Sequence, residues 1–296
     1  MNPQVRNPIR EPLLPQMPLP FEAARTYETT VLGWSAEAQP ENIAVIRNCS
    51  YGPDAQHKYD VFSPTNARRA PILVFWHGGG WTNGYKEYVS FMARAVTRLG
   101  IVLVAPTYRL APEHRLPAAF DDALAALGHV TSHASGFGGD AGRLYLAGHS
   151  AGAQLAALAA LRRREIEQAG LDMGAIRACL PISGVMDLHH PEPAPGSMEE
   201  RIYTMVLRDA REDALMSPLC WTAGNTVPMY LSYGEFDSER VIRANQRMAA
   251  LLARQPADFR LHVEHGLDHF ATHTTLRDAD SAWYRRLAQL IKGSHA

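Results

Sequence analysis

The chain has 296 residues, 46% of them hydrophobic, enough apolar material for a large core and too much for a disordered polypeptide. Lys and Arg number 29 against 30 Asp and Glu, a formal net charge of −1, which points away from nucleic acid and from an anionic membrane surface as partners. The three cysteines, Cys49, Cys179 and Cys220, are too few and too scattered for a disulfide framework or a zinc cluster and suit cytoplasmic thiols.

Residues 1–20, "MNPQVRNPIREPLLPQMPLP", carry six prolines and are expected to form an extended, polyproline-like arm. They lack the apolar core of a signal peptide, and no window of the chain approaches the roughly 18 apolar residues that span a bilayer. The expected location is therefore cytoplasmic. Two strand-like runs follow, "NIAVIRNCSYG" and "KYDVFSP", and then "PILVFWHGGGW", a buried-strand pattern ending in glycines. From there helices and strands alternate: a helix near 86–99, the strand "IVLVAPTY", a helix over 117–132, the strand "RLYLAG" and a helix over 151–164. The strand "IRACLPISG" precedes a Pro-rich excursion, and "VPMYLSYGE" (strand), 239–254 (helix), "FRLHVEH" (strand) and a helix near 275–292 complete the chain.

Near-continuous apolar strands alternating with helices predict an α/β fold with a mainly parallel sheet covered on both faces. The opening strands lack crossover helices and fit an antiparallel edge. No linker divides the chain, so residues 21–296 are expected to form one domain, with 184–222 a cap or pocket insertion.

In such a sheet chemistry gathers at the carboxyl ends of the strands. "LYLAGHSAGAQLAALAAL" places Gly148-His149-Ser150-Ala151-Gly152 where an apolar strand meets an alanine-rich helix. G-x-S-x-G is weak alone, but between a strand and a helix it is the pattern of a nucleophile held in a strained elbow, with a helix N-terminus beneath it favouring negative charge. "HGGGW" follows another apolar strand, and three consecutive glycines let the backbone present bare N–H groups at close range. Gly79 and Gly80, with Ala151, are the expected oxyanion donors, and His77 reads as an anchor of that loop rather than a base.

An elbow serine calls for a later acid and then a histidine. Asp237 follows the strand "MYLSY", and His269 follows "FRLHVEH". His269 is the expected base for Ser150, with Asp237 fixing the imidazole tautomer. Asp187, after a strand nearer the excursion, and Asp268, adjoining the histidine, are the alternative acids. Trp81 and His149 are expected to face substrate, whereas Trp34 and Trp221 read as core. His262 and His265 lie three apart on a strand and face opposite sides, so no metal site is expected, and no cofactor. The run Arg162 to Glu165 reads as solvated surface at a helix end.

On these residues the sequence resembles the α/β-hydrolases of the hormone-sensitive-lipase-like group, and within it the kynurenine formamidase (arylformamidase) relatives. "HGGGW", "YRLAPEHRLPAAFDDALAAL" and "GHSAGA" are shared with the lipase-like esterases; "YGPDAQHKYDVFSP", "ISGVMDL", "YGEFDSERVIRANQRMAALL" and "DHF" carry the formamidase flavour. Glycine at position 80, where those formamidases usually carry an aromatic, and "YRLAPEHR" lean toward the esterases. The resemblance implies the α/β-hydrolase fold with a small cap insertion and a serine hydrolase that cleaves a small-molecule ester or an aryl formamide through an acyl-enzyme. Its rivals are a short-chain carboxylesterase without formamidase activity and a non-catalytic ligand-binding homologue. The sequence leaves a homodimer open.

Overall fold

The computed structural model describes residues 12–37 and 39–293. Residues 1–11 of the proline-rich arm lie outside them, and residues 12–20 contain neither helix nor strand. Glu22–Ser35 form α1, which places Tyr27 and Val31 in the core. No pattern in the sequence marks this helix. Thr26, Thr29, Thr30 and Val31 each cost about 0.5 kcal/mol of helix propensity and Gly33 about 1, but burying Tyr27 and Val31 returns roughly 2 kcal/mol each. Tertiary packing outweighs the local preference.

The strands β1 (Ile43–Ser50), β2 (Lys58–Pro64) and β3 (Ala70–Trp76) follow. A 3₁₀ stretch over Lys86–Met92 leads into α2 (Ala93–Arg98), so the expected helix of 86–99 is true α-helix only in its second half. Next come β4 (Val102–Pro106), α3 (Ala118–His133), β5 (Gly139–His149), α4 (Ala151–Leu161), α5 (Arg163–Gln168) and β6 (Ile176–Ile182). Beyond the short α6 (Met198–Arg201) the chain continues through β7 (Met229–Phe236), α7 (Glu239–Leu252), β8 (Phe259–Asp268), α8 (Ala271–Thr274) and α9 (Ala282–Gly293).

Among the described residues one sheet has the order β1-β2-β4-β3-β5-β6-β7-β8. β1 with β2 and β2 with β4 are antiparallel, and every later pair is parallel. This is the expected α/β-hydrolase architecture, with its antiparallel edge. Strand alternation feeds two cores: Ile72, Val74 and Trp76 point to one side with α3, α4 and α7, while Leu73 and Phe75 point to the other with α1, α2 and α9. α4 is buried along its whole length, and its alanines let it lie close on the central strands.

The segment "YRLAPEHRLPAAFDDALAAL" owes its shape to one buried ion-pair network. Asp122 on α3 receives the Arg109 guanidinium through three N–H···O contacts of 2.7–3.1 Å and the Arg109 backbone N–H at 2.8 Å. His57, before β2, closes the network at 3.0 Å. The antiparallel edge is thereby tied to the helix that covers it.

Candidate active site

β5 ends at His149, and Ser150 turns the chain into α4 with φ 55° and ψ −117°, a conformation costly for a residue with a side chain. The Ser150 N–H still bonds to the Ile182 carbonyl of β6 at 2.9 Å, so the sheet holds the turn in place. The two flanking glycines are there for close approach. A Cβ on Gly152 would lie 2.2 Å from the Trp76 carbonyl oxygen, and one on Gly148 would lie 2.5 Å from Gly152 itself. Helix start and strand end pass so tightly that only hydrogen fits.

The loops after β5, β7 and β8 bring Ser150, Asp237 and His269 together. His269 Nδ1 lies 2.7 Å from Asp237 Oδ1, and His269 Nε2 lies 2.9 Å from Ser150 Oγ. Burial pulls the Asp237 carboxyl up, but the hydrogen bond and charge of His269, the Ser183 hydroxyl and the Gly234 N–H outweigh it and hold the group below the usual carboxylate range. Asp237 is thus an ionised acceptor, so the imidazole proton sits on Nδ1. Nε2 is left as a lone pair facing the serine hydroxyl, the geometry that accepts its proton when it attacks an electrophile.

The loop after β3 carries three consecutive positive φ values: Gly79 at 129°, Gly80 at 61° and Trp81 at 60°. The Gly79 carbonyl accepts from the N–H groups of Thr82 and Asn83 (3.2 and 3.0 Å), and a Cβ on Gly79 would sit 2.0 Å from the Asn83 oxygen. Gly79 and Gly80 border the same cavity as Ser150, while Ala151 opens α4, where the first N–H groups have no intrahelical acceptor. Trp81 also lines the cavity and donates its indole N–H to Gln154 Oε1 at 3.1 Å; Gln154 in turn donates to the Met216 carbonyl at 2.7 Å. Gln154 therefore ties the glycine loop, α4 and the 184–222 excursion together. Its one signal in the sequence was a lone polar residue inside an otherwise apolar helix. His77 is stacked on Tyr108 (4.4 Å, 10°) and bonded to the Gly78 carbonyl (2.8 Å), and it does not line the cavity that Ser150 borders.

His149 borders the cavity but is almost fully buried, and its Nε2 meets the backbone carbonyl of His269 at 2.8 Å. A carbonyl only accepts, so Nε2 carries the proton, and Nδ1 is buried with no hydrogen-bond partner. Its N–H is spent on the backbone of the neighbouring histidine rather than on a ligand. Burial, and next the charge of His269, push its pKa down to about 3, so it stays neutral. Its ring stacks on His273 (5.1 Å, 12°), which bonds to the Tyr27 hydroxyl of α1 at 2.7 Å. Tyr27 and this stack gave no signal in the sequence.

The remaining candidates lie elsewhere. Asp187 turns its carboxylate to the Arg247 guanidinium and the His189 N–H, and Asp268 accepts from the N–H groups of Phe270 and Ala271 (3.0 and 2.8 Å). His265 faces Glu235 at 3.5 Å on the surface, and no group of three or more His, Cys, Asp or Glu gathers to hold a metal among the described residues. Arg162 departs from the expected solvated surface: its guanidinium is sandwiched between Phe120 (4.8 Å) and Trp221 (4.4 Å). Trp34 packs edge-on against Phe91, on the far side of the sheet from α4.

The cavity above Ser150 has a volume of about 480 Å³ and lies at the carboxyl ends of β3, β5 and β8. Leu19 and Pro20 of the N-terminal segment contribute to its wall, as do Met198 and Ile202 of the excursion. The N-terminal segment is held there by Gln16, which pairs with both the N–H and the carbonyl of Gly84 at 2.7 Å, and by Asn83, which donates to the Met17 carbonyl at 2.5 Å.

A family model described as the α/β hydrolase fold matches residues 73–273, and the chain belongs to that family. It is 34% identical over 167 residues to Carboxylesterase NlhH of Mycobacterium tuberculosis, covering 54% of this chain and 52% of that protein. It is 35% identical over 147 residues to Probable carboxylesterase 13 of Arabidopsis thaliana, with 43% and 44% covered. The chain thus spans about half the length of the curated relatives it matches. Among solved structures it is similar to an esterase of Pyrobaculum calidifontis (TM-score 0.75, 22% identity, 93% of each chain). It is also similar to EstE1, a carboxylesterase cloned from a metagenomic library (TM-score 0.73, 22% identity, 93% of this chain and 96% of that one). At such identities the likeness concerns the fold. No helix among the described residues is long and apolar enough to cross a membrane.

Proposed function

We propose that this chain is a serine carboxylesterase acting on small-molecule esters. One observation carries the reading: the hydrogen-bonded line Asp237–His269–Ser150 ends at a largely apolar, solvent-open cavity that Ser150 and His269 both line. Two of the curated relatives, Carboxylesterase NlhH and Probable carboxylesterase 13, support it by their names. In this reading Ser150 Oγ attacks the ester carbonyl as its proton passes to His269 Nε2, and Asp237 stabilises the imidazolium. The N–H groups of Gly79, Gly80 and Ala151 hold the oxyanion. Collapse breaks the C–O bond, the alcohol leaves with the proton from His269, and an acyl-serine remains. Water, deprotonated by His269, then attacks the acyl carbon and releases the acid, restoring Ser150. Residues 184–222 serve as a small cap on a single catalytic domain of residues 21–296, and Leu19 and Pro20, at the end of the proline-rich arm, close one side of the pocket.

A second reading, aryl formamide hydrolysis at the same serine, is favoured by the aromatic wall of the cavity: Phe21, Tyr27, Trp81, Tyr88 and Phe270 suit a flat aryl leaving group. The test is a fluorophosphonate titration, with parallel assays on p-nitrophenyl acetate, p-nitrophenyl butyrate and N-formylkynurenine. We expect stoichiometric labelling at Ser150 and turnover of both esters. Turnover of N-formylkynurenine at a comparable kcat/KM would add the formamidase activity. Absence of both labelling and ester turnover would leave a ligand-binding homologue instead.

A further inference from the structure

One part of the cavity wall is charged. α7 presents its first turn there: Ser238 is the N-cap, Glu239 is exposed and paired with Arg243, and Arg240 and Val241 line the wall, where a helix start carries partial positive charge. α6 brings Glu199 and Arg201 to the same wall. The Arg240 side chain is only 13% exposed. Its Nη2 donates to the Asp187 carbonyl at 2.9 Å, and its Nη1 lies 3.5 Å from Glu199 Oε1, longer than a good ionic hydrogen bond. Its Nε is buried with no hydrogen-bond partner. The Asp187 carboxylate is close enough for its charge to act on Arg240, but it is paired with Arg247 and makes no hydrogen bond to the Arg240 side chain. Arg201 makes no ion pair among the described residues. Two guanidiniums and a helix start thus face one carboxylate, a surplus of positive charge on a wall that is otherwise apolar.

A surplus of one charge is matched by a monoanion, and a half-satisfied guanidinium is a fork suited to a carboxylate. We propose that Arg240 and Arg201 form an anion subsite and that the natural substrate is an acidic ester or amide, carrying a free carboxylate away from the bond that Ser150 cleaves. The substrate assignment rests on the hydrolase reading above; the anion subsite does not. Burial draws the Arg240 guanidinium below its usual value despite Glu199 and Asp187, the sign of a cation with incomplete compensation.

The experiment separates binding from turnover. Calorimetry on the Ser150→Ala protein compares 5-phenylvalerate with its neutral isostere 5-phenylvaleramide. We expect the carboxylate to bind at least about tenfold more tightly, with the advantage shrinking as salt is raised. Arg240→Met or Arg201→Met removes most of that advantage, and Arg240→Lys retains part of it. Should Arg240→Met fail to fold, Arg201→Met, which breaks no ion pair, decides the question. Equal binding of the two ligands overturns the subsite. So does an advantage that survives Arg201→Met and Arg240→Lys unchanged, since it would then belong to the oxyanion donors. Wild-type turnover of mono-p-nitrophenyl glutarate against p-nitrophenyl valerate completes the test. Neutral ester cleaved with no preference for the acidic one overturns the substrate class and spares the esterase reading. A binding preference with no turnover of either ester overturns the esterase reading, and the substrate class with it, and spares the anion subsite alone.

Discussion

Ser150 sits in a backbone conformation that only its surroundings hold, with its hydroxyl 2.9 Å from His269 Nε2. Replacing it with alanine keeps the backbone and removes the nucleophile, so kcat toward p-nitrophenyl butyrate should fall by about 10⁶-fold. His269→Ala should be comparably severe, and the double variant little worse, because the two act as one unit. Asp237→Asn tests the tautomer: an amide can donate to Nδ1 and leave the proton on Nε2, costing about 10⁴-fold. Asp187→Asn, at a carboxylate committed to Arg247, should cost less than about tenfold. The reverse ranking in kcat/KM would make Asp187 the acid. All three triad candidates could be picked from the chain before any coordinates, because strand–turn–helix glycine spacing and the order serine, acid, histidine are linear features. Gln154 showed only as a lone polar residue in an apolar helix, and Arg240 and the histidine stack not at all, since nothing local marks what a polar side chain will meet across the fold.

The element scale shows the same division. Every strand and the helices α3, α4 and α7 were legible, because a buried strand is a short apolar run and a covering helix repeats every three to four residues. α1 was not, because its threonines and valine read as loop or strand and only burial of Tyr27 and Val31 makes it a helix. The Asp122 network is likewise invisible in a string of letters, since Arg109 and His57 approach it from separate elements. Asp122→Ala would leave a partly buried guanidinium without its bidentate acceptor. We expect a loss of about 3 kcal/mol in unfolding free energy, read as a lower urea midpoint at unchanged slope. A shift below about 1 kcal/mol would mean that the edge strands and α3 are held by apolar packing alone.

At the scale of the whole molecule, three buried histidines tie stability to pH. Burial pushes His77 down to about 4 and His149 down to about 3, and holds His273 well below the ordinary histidine value. In the unfolded chain such groups titrate near about 6.5, so below that pH the unfolded state binds more protons than the native one. Their contribution is therefore intact above about 6.5 and is lost as pH falls toward the folded values. The loss approaches ~1.4 kcal/mol per histidine and pH unit, or ~4 for the three together. A thermal scan should show Tm falling by roughly 10 °C between pH 7.5 and 5. Paired carboxylates such as Asp237 lose their own contribution only at lower pH, below about 4. A Tm unchanged over that range would show that the histidines are not held neutral by the fold.

What the sequence determined by itself is what short-range chemistry encodes. Apolar periodicity dictates alternating strands and helices, the glycines around Ser150 and in "HGGGW" dictate tight turns, and chain order singles out the acid and the histidine. Tertiary structure alone decided which wall of the cavity is charged, that Arg162 lies between two aromatic rings, and that the N-terminal segment helps to enclose the pocket. Those features depend on contacts between residues far apart in the chain, such as Gln16 with Gly84 and Arg162 with Phe120 and Trp221. Side-chain burial and pairing at that range follow from how the elements pack, and no local pattern carries that information.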